Sequence, residues 1–360
     1  MRLSKITVFP NGCTKVSICL PCLNAQPFLE ERLQSILAQT RTDWELIVAD
    51  SYSDDGSWEV LQQHAGDPRV QLHRVPREGP YAGWNACLSR ARGEYVHIAT
   101  ADDTAEPTFL EECLKRLDQC SDVDIAVSQF RRIDERGRAI ETPQARADRL
   151  YKPWLNRTHR RSRESEILVH CCLGIPWTTA SALVFRRSLL SRTGLFRTDC
   201  GGDADRYWSL KASVHSDTIS LPGALATWRR RPGQVSAAHD AAWPRRNLEM
   251  MKQTIDQCAS FLPGAWKERP GWRERLLWKA RQDYRQSFRL DRAVLSRKPH
   301  RFLFGATRAL VHEPGYLLRR LRSGLAWDAP ERRDEYAYLC DLLTDWNVSP
   351  EPELLDRSAA

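Results

Sequence analysis

Short apolar runs, each stopping at a polar residue, alternate with helix-spaced segments through the first third of the chain. Val16–Leu20 (VSICL) is apolar apart from Ser17 and ends at Pro21, as expected of a strand buried on both faces. Phe28–Gln39 then places Leu29, Leu33, Ile36 and Leu37 at helical spacing. Trp44–Ala49 (WELIVA) reads as a second buried strand that stops at Asp50. A helix over Trp58–His64, an alternating strand over Val70–Val75 and a helix over Asn85–Ala91 follow. A strand over Tyr95–Ala99 (YVHIA) and a helix over Thr108–Leu117 complete the series. Repeated strand–helix–strand units predict an α/β doubly wound parallel sheet. Such sheets bind ligands at the carboxyl ends of their strands.

Beyond Ile125 the pattern is mixed. Ala139–Arg163 is rich in Arg and has no apolar period, which predicts an excursion or mobile loop. ALVF (Ala182–Phe185) and TISL (Thr218–Leu221) read as short strands. From Trp243 onward the chain is mainly helical, with Trp272, Leu276, Ala280, Tyr284 and Phe288 at successive i+4 positions. The tail from Ser349 (SPEPELLDRSAA) is too polar to pack and is expected to be disordered. The expected organisation is a domain over 1–240, with halves 14–125 and 126–240. A helical extension over 241–348 and a disordered tail over 349–360 follow it.

Composition narrows the class. With 42% hydrophobic and 28% charged residues the chain can bury a globular core, and no apolar run approaches the ~20 residues of a membrane span. The first fifteen residues include Lys5, Asn11 and Lys15 without an apolar block, so no cleaved secretory signal is expected. Eleven cysteines, an odd number without paired metal spacing, suit a reduced cytoplasmic protein. The net charge of +8 is concentrated in the C-terminal part. Between Lys267 and Arg333 there are 18 Lys or Arg against 7 Asp or Glu, which leaves −3 for the rest. Those basic helices could cover the domain that precedes them, lie on an anionic membrane surface or bind nucleic acid. The last is disfavoured, because no helix-turn-helix, zinc or RNP pattern accompanies the charge.

Two acidic segments stand at strand ends. Asp50 opens DSYSDDGS, where a carboxylate could accept from a ribose hydroxyl or a base imide, or where Asx turns could simply lead into a helix. Asp102 and Asp103 lie in TADDTAEP after YVHIA. Adjacent carboxylates repel unless a cation or hydrogen bonds compensate, and Mg²⁺ takes one or two carboxylates with phosphate oxygens. The alternative is an acidic helix N-terminus favoured by the helix dipole.

These motifs together resemble the family 2 glycosyltransferases of the GT-A fold. KVSICLPCLN matches the family's opening at Pro21, Cys22 and Asn24. Ser35, Ile36, Leu37, Gln39 and Thr40 match its helix end, and WELIVADSYSDDGS matches at Asp50, Ser53, Asp55 and Gly56. Gly79, Asn85, Ala91, Gly93, Glu94 and Tyr95 match a further stretch, with Gly83 where the family has alanine.

The resemblance implies a GT-A type doubly wound mixed sheet, with a Rossmann-like nucleotide-binding half and a C-terminal helical extension, and an inverting, nucleotide-sugar-dependent transferase. Its donor, a UDP-sugar by expectation, would be held by Pro21, Cys22, Asn24, Asp50, Ser53, Gly79, Tyr81, Asn85, Thr100, Ala101, Asp102 and Arg231. Mg²⁺ or Mn²⁺ would sit on Asp102 and Asp103, with Thr100 replacing the family's first aspartate. ALVFRRSLL, Gly194–Phe196 and GGDADRYWSL resemble the acceptor side, which implies Asp203 as the catalytic base, with Gly202 replacing a glutamate and Asp205 as the runner-up. In WRRRPGQVS, Arg231 takes the position of a family histidine, and Arg229 and Arg230 are expected to be solvated. The implied acceptor is a saccharide or lipid-linked hydroxyl, in surface polysaccharide or glycolipid synthesis. The implied location is cytoplasmic or peripheral on the inner face of the membrane. A catalytically weak, nucleotide-sugar- or partner-binding relative is the alternative that the altered Thr100 and Gly202 suggest.

Overall fold

The computed structural model describes residues 14–141, 148–177, 179–231, 234, 240–290, 292–323, 325 and 334–355. The strands in chain order are β1 (Val16–Cys22), β2 (Trp44–Asp50), β3 (Val70–Arg74), β4 (Tyr95–Ile98) and β5 (Ile125–Ile133). They are followed by β6 (His159–Arg161), β7 (Leu183–Arg186), β8 (Thr218–Arg229) and β9 (Glu353–Leu354). Helices α1 (Gln26–Leu37), α2 (Ser57–Gln62), α3 (Pro80–Leu88) and α4 (Phe109–Gln119) connect the first five strands.

The chain divides into two compact units. The first comprises residues up to Thr142 with Thr179–Thr198 and Leu221–Arg230. Its strand order is β3-β2-β1-β4-β7-β5, followed by β8. β1 runs parallel to β2 and β4, and β2 to β3, whereas β7 is antiparallel to both β4 and β5. This is the mixed doubly wound sheet expected. Ile18, Leu20, Ile47, Val48, Val96 and Ile98 are fully buried along β1, β2 and β4. Each such side chain contributes about 1.5–3 kcal/mol relative to exposure. The register sets Cys22 opposite Asp50, so the polar segments after β1 and β2 emerge side by side.

Two strands depart from the pattern, β5 lying where it is mixed and β8 outrunning the expected TISL. β5 continues into FRRI, whose polar residues hide its second half. β8 runs for twelve residues through Pro222 and Gly223, where the sequence reads as a stop. The strand there is more exposed, which suits a residue that cannot donate to a ladder.

The second unit comprises Pro143–Thr178, Asp199–Ser220 and Arg231–Ala360. The expected boundary at 240 is therefore not where the compact units divide, because the C-terminal helices pack with segments taken from 126–240. Helix Arg163–Leu173, capped by Ser162 accepting from the Ser165 N–H, packs against helices Ala204–His215 and Glu335–Asp345. The helix expected over Trp272–Phe288 is two, Trp272–Leu276 and Trp278–Gln286, although its five apolar residues are all buried. The expected disorder of the tail is corrected for its first part. β9 pairs antiparallel with β6 at Arg160 and His159, and the Leu355 N–H donates to the Thr158 carbonyl. A backbone ladder orders a polar strand that no apolar period reveals. Residues 356–360, and 142–147 of the expected mobile loop, lie outside the described residues.

Among the described residues no disulfide is present, and no helix is long and apolar enough to cross a membrane.

Candidate active site

The loops after β1 and β2 are joined by their own side chains. Asn24 adopts a left-handed backbone, φ 50°, which asparagine tolerates well. Its amide donates to Asp54 Oδ1 (2.9 Å), its side-chain oxygen accepts from the Asp54 N–H (3.1 Å), and its own N–H donates to Ser53 Oγ (3.0 Å). Asp55 accepts from the Gln26 N–H (3.0 Å) and from Ser57 Oγ (2.6 Å), so one carboxylate caps the start of α1 from another loop. Asp50 is fully buried. It accepts from the Ser53 N–H (3.1 Å) and hydroxyl (2.5 Å) and pairs with Arg74 at 3.0 Å. Asp50 and Ser53 thus build the loop. Burial first, then the Asp50 charge, pushes the Cys22 thiol up to about 12, so it stays neutral.

Three residues at this rim were not singled out from the sequence. Tyr52 is exposed with φ 52°, and the Arg74 guanidinium lies 5.2 Å from its ring centre. Arg77 donates to the Ser51 carbonyl (2.9 Å), the Tyr52 carbonyl and Asp54 Oδ2 (2.8 Å). A base needs a ring face or a cation beside a strand end. The signal in the sequence was an aromatic inside DSYSDD and arginines at and just after the end of β3.

Gly79, φ 95°, precedes α3, and a Cβ at Gly83 would stand 3.1 Å from Pro21 Cβ. The glycine lets α3 approach the end of β1. Asn85 and Tyr81, expected at the donor, both have partners inside the protein. Asn85 Nδ2 donates to the Phe196 carbonyl (2.7 Å) while Oδ1 accepts from the Phe196 N–H (3.0 Å). Tyr81 is buried, with its ring stacked 6.0 Å from Phe196 and edge-on to Trp84 at 5.0 Å. Both residues hold the Gly194–Phe196 turn in place, the half-buried amide by hydrogen bonds and the buried ring by stacking.

At the end of β4 the two aspartates separate in role. Asp103 is buried, and its Oδ2 accepts from Thr100 Oγ1 (2.6 Å), Ser181 Oγ (2.8 Å) and Thr179 Oγ1 (3.4 Å). Its Oδ1 accepts from the Arg229 N–H (2.7 Å). Burial, then the Asp102 charge, raises its pKa to about 6. Both oxygens of Asp103, expected beside Asp102 at the metal, accept hydrogen bonds inside the chain. Thr100 likewise spends its hydroxyl on Asp103 and Ser181. Asp102 is half-buried at the rim beside Ala101. Among the described residues no three His, Cys, Asp or Glu side chains converge on a cation position. A cation at this strand end would have to take its remaining ligands from phosphate oxygens and water.

Below these residues lies buried Arg32. Its Nη2 is 2.9 Å from His97 Nε2, and His97 Nδ1 is 3.0 Å from the Leu183 carbonyl. A guanidinium only donates, so His97 is neutral with its proton on Nδ1. Burial, then Arg32, lowers its pKa to about 3. Arg229, expected to be solvated, is instead buried. It donates to the Asp102 carbonyl (2.6 Å), to the Asp134 carbonyl (3.1 Å) and to Glu31 (2.5 Å).

Asp203 and Arg231 belong to the second unit. Asp203 immediately precedes helix Ala204–His215, but its side chain does not cap it. Its Oδ2 accepts from the indole N–H of Trp243 at 2.7 Å, a partner no motif announced. Asp205 accepts from the Arg206 N–H (2.8 Å). Arg231 is half-buried, and most of the PGQVS that follows it lies outside the described residues.

A mixed doubly wound sheet with acids at its strand ends suits a glycosyltransferase of the GT-A class, and comparison with known proteins supplies that class. The family described as Glycosyl transferase family 2 matches residues 17–193, so the chain carries a family 2 glycosyltransferase domain. It is 26% identical over 261 residues to "Uncharacterized glycosyltransferase EpsJ" of Bacillus subtilis (strain 168), covering 70% of this chain and 72% of that protein. It is 33% identical over 102 residues to "Putative teichuronic acid biosynthesis glycosyltransferase TuaG" of the same strain, 28% of this chain and 40% of that one. Among solved structures, S. aureus TarS 1–349 in complex with UDP-GlcNAc superimposes with TM-score 0.59 at 16% identity, over 96% of this chain and 97% of that one. The mannosyltransferase PcManGT of Pyrobaculum calidifontis, in complex with GDP-Man and Mn²⁺, gives TM-score 0.51 at 20% identity, over 94% and 89%. These two likenesses establish the GT-A fold.

Proposed function

We propose that this protein transfers a sugar, with inversion, from a UDP-sugar to a hydroxyl of a saccharide or lipid-linked acceptor in surface polysaccharide or glycolipid synthesis. The observation that carries the reading is the split between Asp102 and Asp103. One carboxylate is locked beneath the strand end by four donors, and its neighbour is thereby placed at the rim. The nucleotide lies against the β1 and β2 loops, with Tyr52, Arg74 and Arg77 at their rim. Asp102 would hold Mg²⁺ or Mn²⁺, which when bound supplies Lewis-acid stabilisation of the departing diphosphate. Arg231 is a second cation suited to phosphate charge. Asp203, oriented by Trp243, takes the proton from the acceptor hydroxyl as it attacks the anomeric carbon. The UDP-GlcNAc complex of TarS and the teichuronic acid role in TuaG's name support the donor and acceptor classes. The reading places the enzyme in the cytoplasm, at a membrane when the acceptor is lipid-linked.

A thermal-shift panel of nucleotide sugars with Mn²⁺ or EDTA tests this. A matching donor at a hundred times its Kd stabilises the fold by about 2.7 kcal/mol. UDP-sugars should stabilise only with metal, and no stabilisation by any nucleotide sugar would sink the reading. Release of nucleotide during turnover separates an enzyme from a binding-only relative.

A further inference from the structure

Six large apolar side chains lie exposed within nineteen residues of the C-terminal part. On helix Pro299–His312, Leu303, Phe304, Leu310 and Val311 are each between 60% and 70% exposed. Their spacing, i, i+1, i+7 and i+8, forms one stripe along the helix. Leu318 and Leu321, three residues apart, form another on helix Pro314–Arg322. The opposite side of the first helix is pinned inward. Phe302 and Ala309 are buried, and a Cβ at Gly305 would lie 1.8 Å from the Phe288 carbonyl oxygen, so the helix backbone rests on that group. The stripe therefore points outward because its other side is committed. Between Arg292 and Ser323 there are eight Lys or Arg and one acid, Glu313, which already pairs with Arg285 at 3.3 Å. Arg301, Arg319 and Arg322 are exposed among the apolar positions.

We infer that helices Pro299–His312 and Pro314–Arg322 dock on an anionic lipid bilayer surface. Each feature has a counterpart there. The headgroup boundary accepts leucine and phenylalanine side chains, and lipid phosphates accept arginine. A nucleic acid would satisfy the arginines and leave the apolar stripe in water. A second copy would cover the stripe but set one cationic face against another. The inference extends the lipid-linked acceptor of the proposed function by naming the surface on which that acceptor would be met. It is tested without donor or acceptor, so either reading can fail alone.

The test is vesicle co-sedimentation of the full chain. The vesicles are phosphatidylcholine alone or phosphatidylcholine doped with phosphatidylglycerol. The protein should pellet with the anionic vesicles only, and less as salt rises. Phe304→Glu with Leu310→Glu should abolish pelleting, and Arg301→Gln with Arg319→Gln should weaken it by about tenfold or more. All four side chains are exposed, so circular dichroism should stay unchanged. Three outcomes would overturn the inference: no pelleting with anionic vesicles, undiminished pelleting of the Glu variant, or a stripe buried in a dimer at the concentrations used.

Discussion

The guanidinium of Arg229 holds the backbone of Asp102, while the N–H of the same residue holds the side chain of Asp103. The two contacts, 2.6 Å to the Asp102 carbonyl and 2.7 Å to Asp103 Oδ1, fix the acidic turn from one residue of β8. The bond from the backbone survives any substitution short of proline, whereas the one from the side chain does not.

Arg229→Ala should therefore destabilise the protein and blunt metal-dependent donor binding together. Its removal leaves the Asp102 and Asp134 carbonyls without their donor, at about 1–3 kcal/mol for each buried group. A urea midpoint well below that of the parent is the expected result. Arg230→Ala, at a half-buried arginine beside Trp228, should change stability by less than about 0.5 kcal/mol. Equal effects of the two substitutions would mean that Arg229 is not the clamp.

Asp102→Asn and Asp103→Asn should part company in the same way. The first should keep the melting temperature and lose the metal-dependent part of donor affinity. The second replaces an acceptor surrounded by four donors with a group that itself donates, and should lower stability by about 2–4 kcal/mol. Donor titrations with and without Mn²⁺, on variants matched for folded fraction, separate the two. If Asp103→Asn folds normally and loses only metal dependence, the assignment of the two carboxylates is reversed.

Much of this was legible in the sequence, because β1, β2 and β4 are buried on both faces and announce themselves as apolar runs with acids at their ends. Where a polar side chain points was not legible. Asn85 and Tyr81 fall in a motif beside the donor loops, yet both turn to Phe196, more than a hundred residues away in the chain. Arg229 sits in a run of three arginines that composition reads as solvated, and only the pleat of β8 sends it inward. The partner of Asp203 is a tryptophan forty residues on, a distance over which spacing carries no information. β9 is held by backbone pairing, which leaves no mark on the side-chain pattern.

Acid should weaken the fold below neutral pH. His170 is buried against Trp177 with neither ring nitrogen hydrogen-bonded, and burial, then Arg206, lowers its pKa to about 3. A histidine depressed from the ordinary 6.5 is neutral when folded and protonated when unfolded. Its stabilising contribution is therefore present above pH 6.5 and lost as pH falls, by about 1.4 kcal/mol per pH unit. His97, at about 3, and His159, at about 4, act in the same direction. Asp103, raised to about 6, acts oppositely between about pH 6 and 4 and offsets one of the three. His170→Phe should be slightly more stable than the parent at pH 7, and its advantage should grow by about 2 kcal/mol at pH 5. Urea unfolding at the two pH values measures this, and a constant advantage would show that His170 is protonated in the native state.

The acceptor side rests on Asp203 and the indole that holds it. If Asp203 deprotonates the acceptor hydroxyl, Asp203→Asn should lower kcat by about 10²–10⁴ while the donor KM stays put. Asp205→Asn should cost far less, since Asp205 is engaged by the Arg206 N–H at the helix start. Trp243→Phe keeps an aromatic side chain but replaces the indole with a smaller ring that lacks the N–H 2.7 Å from Asp203 Oδ2. It should lower kcat by about tenfold, because a base that has lost its orienting donor spends less time in line with the hydroxyl. The donor KM of this variant should again hold. In the double variant Asp203→Asn with Trp243→Phe the two losses should not multiply, since the indole acts through the carboxylate it holds. Multiplicative losses would place Trp243 in a separate role. An Asp205→Asn variant that is silent beside an active Asp203→Asn would move the base two residues along the chain.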